Sequence, residues 1–175
     1  MIYTMHYHSP IGDLLLAEKN KALVGVWMEE QRYLPDLRKE DVQDNPDSLL
    51  LNQTKKWLDR YFNGERPAVK ELALAPEGSE FGRAVSRLLC EIPYGKVTTY
   101  GALSKKIAAE RKLDRMAAQA VGGAVGRNPI SIIIPCHRVV GADGGMTGYG
   151  GGIDRKRRLL MLEGVDPADC TGFFV

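Results

Sequence analysis

Cysteine, histidine and tryptophan are all scarce in this chain: three, three and two residues in 175. The cysteines, Cys90, Cys136 and Cys170, are odd in number and far apart, with no Cys-x-x-Cys pair. That pattern excludes a disulfide framework and leaves too few ligands for a zinc finger or ribbon. No metal site is therefore expected, and reduced thiols suit the cytoplasm. No window approaches the ~18 consecutive apolar residues of a membrane span. The first residues, "MIYTMHYHSPIGDLLLAEKN", lack a basic stretch followed by an apolar one, so no secretory signal is expected. Internal repeats and low-complexity tracts are absent too.

Charge of one sign is not in excess overall, with 24 Lys and Arg against 22 Asp and Glu. It is unevenly spread, however. Residues 1–80 carry 10 basic and 14 acidic side chains, a net of −4, whereas residues 81–175 carry 14 and 8, a net of +6. Such asymmetry suits either a second half that meets a polyanion or an ordinary solvated basic face. The hydrophobic content of 44% is that of a globular protein, and the length allows one medium domain or two small ones.

The first half has the pattern of a small α+β unit. "IYTMHYHS", "GDLLLAEK" and "ALVGVWME" are predicted strands, with turns at "SPIG" and "KNK". From Asp47 the apolar period becomes helical, through Leu50, Leu51, Trp57, Leu58, Tyr61 and Phe62, and stops at Gly64. "VKELALAP" is predicted to be a last strand, and "PEGS" marks the boundary, after residue 78. The second half is mostly helical. Ser79 can cap a helix through "EFGRAVSRLLCEI", and Thr98 or Thr99 a second, "YGALSKKIAAE". A third is expected from about Arg115 to Gly126, and a closing one from Asp154 to Gly164.

Two stretches carry chemistry. On a helical wheel, Ala117, Ala120, Val121, Ala124 and Val125 of the third helix share a core face. Ala118, Gln119, Gly122, Gly123 and Gly126 form an outer face without charge. Each glycine inside a helix costs about 1 kcal/mol relative to alanine, so these glycines need a reason. Close packing on another helix is one; close approach to a nucleic-acid groove, with Gln119 alone projecting, is another. The two helices and their connection also suit a helix-turn-helix. The second stretch is "PCHRV". A thiol becomes a strong nucleophile as thiolate, from a free pKa near ~8.5. His137 is adjacent, and Glu163 is the candidate to orient its imidazole, after the logic of catalytic triads. A buried structural cysteine beside a satisfied histidine fits the same residues.

Taken together, "SPIGDLLLA", "FGRAVSRLLCEIPYGKVTTYGALS", "AVGGAVGRNPISIIIPCHRVVG" and "MTGYGGGIDRKRRLLMLEG" resemble the O6-alkylguanine-DNA alkyltransferases, direct-reversal DNA repair proteins, in their short bacterial form. The resemblance spans nearly all of residues 81–164 and a shorter N-terminal match. It implies an α+β protein: a small N-terminal α/β domain, ribonuclease H-like in the family, over residues 1–78, and a mostly helical domain with a helix-turn-helix over 79–175. It also implies a cytoplasmic monomer without cofactor or membrane attachment, whose partner is double-stranded DNA carrying O6-alkylguanine, and O4-alkylthymine as a possible second lesion.

The family's roles then fall on particular residues. Cys136 is the implied alkyl acceptor, and His137, acting through a water and held by Glu163, generates its thiolate. Asn128 braces the turn before the acceptor, and Tyr100 bonds the flipped base at N3. The carbonyls of Cys136 and Val139 read the guanine amino group, the amides around Tyr149 and Gly150 face O6, and Lys156 lies near the pocket. Gln119, Ala118, Gly122, Gly123 and Arg127 are the implied DNA-binding residues. Gln119 stands where many relatives have the arginine that fills the space left by the flipped nucleotide. The segment from Tyr100 to Gln119 is also about five residues longer than in some relatives, which implies an altered turn. Cysteine at 136 argues against the non-catalytic alkyltransferase-like proteins, which commonly have tryptophan there. A transcription regulator of the adaptive-response type needs a metal-binding sensor that this chain does not encode, and nothing selects a cysteine hydrolase.

Overall fold

The computed structural model describes all 175 residues. They divide into two compact units: Met1–Glu77 with Pro129–Ile133, and Gly78–Asn128 with Ile134–Val175. No helix in either is long and apolar enough to cross a membrane.

In the first unit, β1 (Ile2–Ser9), β2 (Gly12–Lys19) and β3 (Ala22–Met28) form an antiparallel meander. Asn20 and Lys21 join β2 to β3 with φ of 52° and 63°. That left-handed geometry matches a two-residue hairpin to the twist of its strands. Along β1, Met5 and Tyr7 point inward while His6 and His8 point to solvent. A short β4 (Val42–Asp44) runs parallel to β1, giving the order β3-β2-β1-β4. Its three residues are all exposed, so no apolar pattern announces it. Helix α1 (Leu49–Phe62) starts where the Ser48 hydroxyl accepts from Leu51 N at 3.1 Å. It lays Leu51, Trp57, Leu58 and Tyr61 on the sheet, and each such side chain is worth about 1.5–3 kcal/mol of burial.

The strand predicted at Val69–Pro76 does not form. Glu71 accepts from Ala68 N at 2.8 Å and pairs with Arg60 at 2.6 Å, closing the backbone into a 3₁₀ turn at Val69–Glu71. Only Leu74 then bridges to Leu23 of β3. A second parallel bridge joins Val26 to Ile130, with Val26 N donating to Pro129 O at 2.9 Å and Ser131 N to Val26 O at 3.1 Å. With this edge covered, β3 is buried almost throughout.

In the second unit, Ser79 caps α2 (Glu80–Leu89) by accepting from Gly82 N, and Thr99 caps α3 (Tyr100–Glu110) by accepting from Ala102 N, both at 3.0 Å. Helix α4 (Ala118–Gly126) packs on α2 and α3. It begins later than the expected Arg115: Ala117, its N-cap, is extended and makes no side-chain cap bond. Val121 and Val125 form its buried face, but Ala117 and Ala120, expected in the core, are exposed. Two short strands, β5 (Thr98–Thr99) and β6 (Val139–Val140), pair in parallel. Helix α5 (Ile153–Leu162) follows the glycine-rich loop. Val97, Val140, Leu160, Val165 and Cys170 share a core beneath them.

Candidate active site

The chain enters the site through tight turns. Ile132 has φ +72°, and Ser131 O accepts from Ile133 N at 2.9 Å, a γ-turn centred on a β-branched residue. Such a conformation costs about 1–3 kcal/mol and is kept only where the surroundings impose it. Cys136 N donates to Ile134 O at 2.8 Å, and Cys136–Arg138 then make one 3₁₀ turn before β6. Cys136 thus sits in a turn, and it is only 6% exposed.

Around that turn the polar groups are closely paired. Asn128 Nδ2 donates to Cys136 Sγ at 3.1 Å and to Ile134 O at 2.8 Å. His137, fully buried, shares a hydrogen bond of 2.7 Å between its Nε2 and Glu163 Oε1. Arg138 donates to both oxygens of Glu163, from Nε at 2.8 Å and Nη2 at 3.0 Å, and from Nη1 to Ile92 O at 2.7 Å. Gly95 N adds a bond to Glu163 Oε2 at 3.2 Å. Gly95 has φ +74°, and a Cβ there would lie 3.0 Å from Glu163 O, so the approach requires glycine. Lys156 Nζ, also fully buried, donates to Val139 O at 2.5 Å and Thr147 O at 2.8 Å. Tyr100 Oη donates to the carbonyls of Thr147 and Gly148 at 3.4 and 3.3 Å.

Burial and charge set the protonation states. Burial raises the Cys136 thiol above the ordinary thiol range, while the Asn128 bond and the nearby Lys156 charge oppose the rise. Burial lowers His137 against the pull of Glu163, so its imidazole is neutral at physiological pH. Burial alone would raise Glu163, but His137 and Arg138 hold it well below the carboxylate range. Burial pulls Lys156 down to about 8. Burial raises Cys90 and Cys170 as well, and neither has an imidazole beside it in the sequence.

The structure brings Asn128, Cys136, His137, Val139, Tyr149, Lys156, Tyr100 and Glu163 into one cluster. Tyr149 has a buried hydroxyl that lies close enough to the Cys136 thiol for each to shift the other's protonation. Gly150 follows it in the loop. Gln119 and Ala118 are exposed on the first turn of α4, away from this bonding network. Gly122 lies against the Tyr100 ring, and Arg127 folds its Nη1 back onto Gly123 O at 3.2 Å. Sequence reasoning missed Arg138 and Gly95 as partners of Glu163. Arg138 directly follows His137, and Gly95 sits in the Pro-Tyr-Gly turn, a signal of tight backbone that named no partner.

A shielded thiol with an amide donor and a histidine–carboxylate pair beside it, in a unit whose helix α4 presents an uncharged small-residue face, defines a protein that uses cysteine chemistry next to a macromolecular surface. Residues 1–76 match the family described as "6-O-methylguanine DNA methyltransferase, ribonuclease-like domain", and residues 80–165 match its "DNA binding domain". The chain belongs to the 6-O-methylguanine DNA methyltransferase family. It is 39% identical to the methylated-DNA–protein-cysteine methyltransferase of Haemophilus influenzae, over 96% of this chain and 89% of that one. With the protein of the same name from Mycobacterium tuberculosis the identity is 42%, over 99% of each. Among solved structures, Mycobacterium tuberculosis OGT in complex with DNA superposes with a TM-score of 0.82 at 41% identity, over 93% of both chains.

Proposed function

We propose that this protein takes the alkyl group of O6-alkylguanine onto Cys136 Sγ, once per molecule. The observation that carries the assignment is the buried Cys136 thiol, held by Asn128 Nδ2 at 3.1 Å and followed directly by the His137–Glu163 pair at 2.7 Å.

Chemistry follows from that geometry. Glu163 occupies Nε2 of His137, so the imidazole must accept the thiol proton at Nδ1, through a water. Holding Glu163 anionic stabilises the imidazolium that results. The thiolate attacks the alkyl carbon; the S–C bond forms as the C–O6 bond breaks, and the electron pair stays on guanine. Guanine regains one proton in return for the one the thiol lost, which leaves a thioether and an unmodified base. A thioether has no easy reverse step, so each molecule acts once.

The pocket reads the base with backbone. Val139 O already accepts from Lys156 but keeps a second lone pair for the guanine amino group. The Cys136 carbonyl shares that task. Amides around Tyr149 and Gly150 face O6, and Tyr100 bonds N3. The lesion is inside the duplex, so the nucleotide must rotate out of the stack. The α4 face of Ala118, Gly122 and Gly123 fits the minor groove, Gln119 fills the vacated stack, and Arg127 meets phosphate. The active species is a monomer on double-stranded DNA in the cytoplasm.

The test is lesion counting. Wild-type protein mixed with excess O6-methylguanine duplex should consume one lesion per molecule and stop, and Cys136→Ser should bind the same duplex without consuming any. Repeated turnover, or transfer by the serine variant, would overturn the assignment.

A further inference from the structure

Two phenols approach the candidate site, and they differ. Tyr100 Oη has the carbonyls of Thr147 and Gly148 as acceptors. Tyr149 Oη is wholly shielded from solvent, and no protein group stands in hydrogen-bonding geometry to it. A buried hydroxyl without an acceptor destabilises a fold, and so few are tolerated that each asks for an explanation. The group it faces is the Cys136 sulfur.

We propose that the Tyr149 hydroxyl is a catalytic group, a hydrogen-bond donor that finds its acceptor only when Cys136 becomes a thiolate. The inference rests on the reading of Cys136 as the alkyl acceptor. A neutral thiol is a weak acceptor and a thiolate a strong one. The phenol therefore makes no bond in the resting protein and gains a strong one as negative charge gathers on sulfur. An interaction that strengthens along the reaction accelerates it, whereas one present throughout does not. Once the S–C bond forms, the thioether sulfur is a poor acceptor again and the bond lapses. The phenol O–H stays intact in every step, because burial and the neighbouring sulfur hold its proton far above neutral pH. The thiol proton goes to His137, as before. Asn128 Nδ2 is the second donor to the same sulfur, and it is spent equally on Ile134 O.

The experiment compares wild type with Tyr149→Phe, which keeps the ring and removes only the donor. Single-turnover transfer from an O6-methylguanine duplex should slow roughly 100- to 1,000-fold, the size expected for one donor to a developing anion. The pH at which reaction with free O6-benzylguanine is half-maximal should rise. Duplex affinity should not change, and the melting temperature should hold or increase, since an orphan hydroxyl has been removed. A wild-type rate with an unshifted pH profile would overturn the proposal, and so would a rate loss matched by a fall in melting temperature. Wild-type protein that carries no alkyl group on Cys136 would instead defeat the parent reading and this one with it.

Discussion

At the scale of single residues, Glu163 is the hinge of the site's electrostatics. It meets His137 with one oxygen and Gly95 with the other, and Arg138 grips both. Glu163→Gln leaves the buried guanidinium without its counter-charge, and breaking such a pair costs about 3–5 kcal/mol. Urea unfolding at neutral pH should register that loss, with slower transfer alongside. Because the folded carboxyl is held below its ordinary range, its contribution is complete above about pH 4.3 and vanishes as pH falls through the folded value. Acid should therefore destabilise wild type more steeply than Glu163→Gln. His137 gives a second pH signature. With its pKa lowered by burial, the base stays neutral below about pH 6.5, so the acid limb of the single-turnover rate should lie below that value. An acid limb above pH 6.5 would mean that another group is titrating.

Among the elements, α4 separates folding from function. A Cβ at Gly122 would stand 3.6 Å from the Tyr100 ring, an ordinary contact, so the protein itself does not demand glycine there. Gly122→Ala should stabilise the helix by up to about 1 kcal/mol. If the face enters a DNA groove, the same change should weaken duplex binding and leave reaction with free O6-benzylguanine intact. Equal effects on duplex and free base would make the glycine a pocket residue. What the sequence disclosed about these elements follows from where their signals reside. Ser79 and Thr99 carry hydroxyl caps, so α2 and α3 could be placed from their first residues. Ala117 offers no such mark, and the start of α4 was misplaced. The wholly exposed β4 left no periodicity to find. At the site, Cys136, His137, Asn128 and Glu163 were legible through family motifs, but the grip of Arg138 on Glu163 was not. It depends on consecutive residues of a 3₁₀ turn reaching one carboxylate, which spacing along the chain does not encode.

For the whole molecule, the charge split between the halves becomes a prediction about binding. Residues 81–175 carry the net +6 and contain helices α2 to α5, whereas residues 1–80 are net negative. Binding through the basic half releases counterions, so log affinity for duplex DNA should fall linearly with log salt. It should change little with sequence around the lesion, since minor-groove readout is degenerate. A flat salt dependence would remove the electrostatic basis of the interface. The central claim, that Cys136 accepts the alkyl group, is tested most directly by intact mass spectrometry after mixing with an O6-methylguanine oligonucleotide, followed by peptide mapping. The account predicts a gain of one methylene per chain, found in the peptide that contains Cys136. A methyl group on Cys90 or Cys170, or a protein of unchanged mass beside repaired DNA, would contradict it.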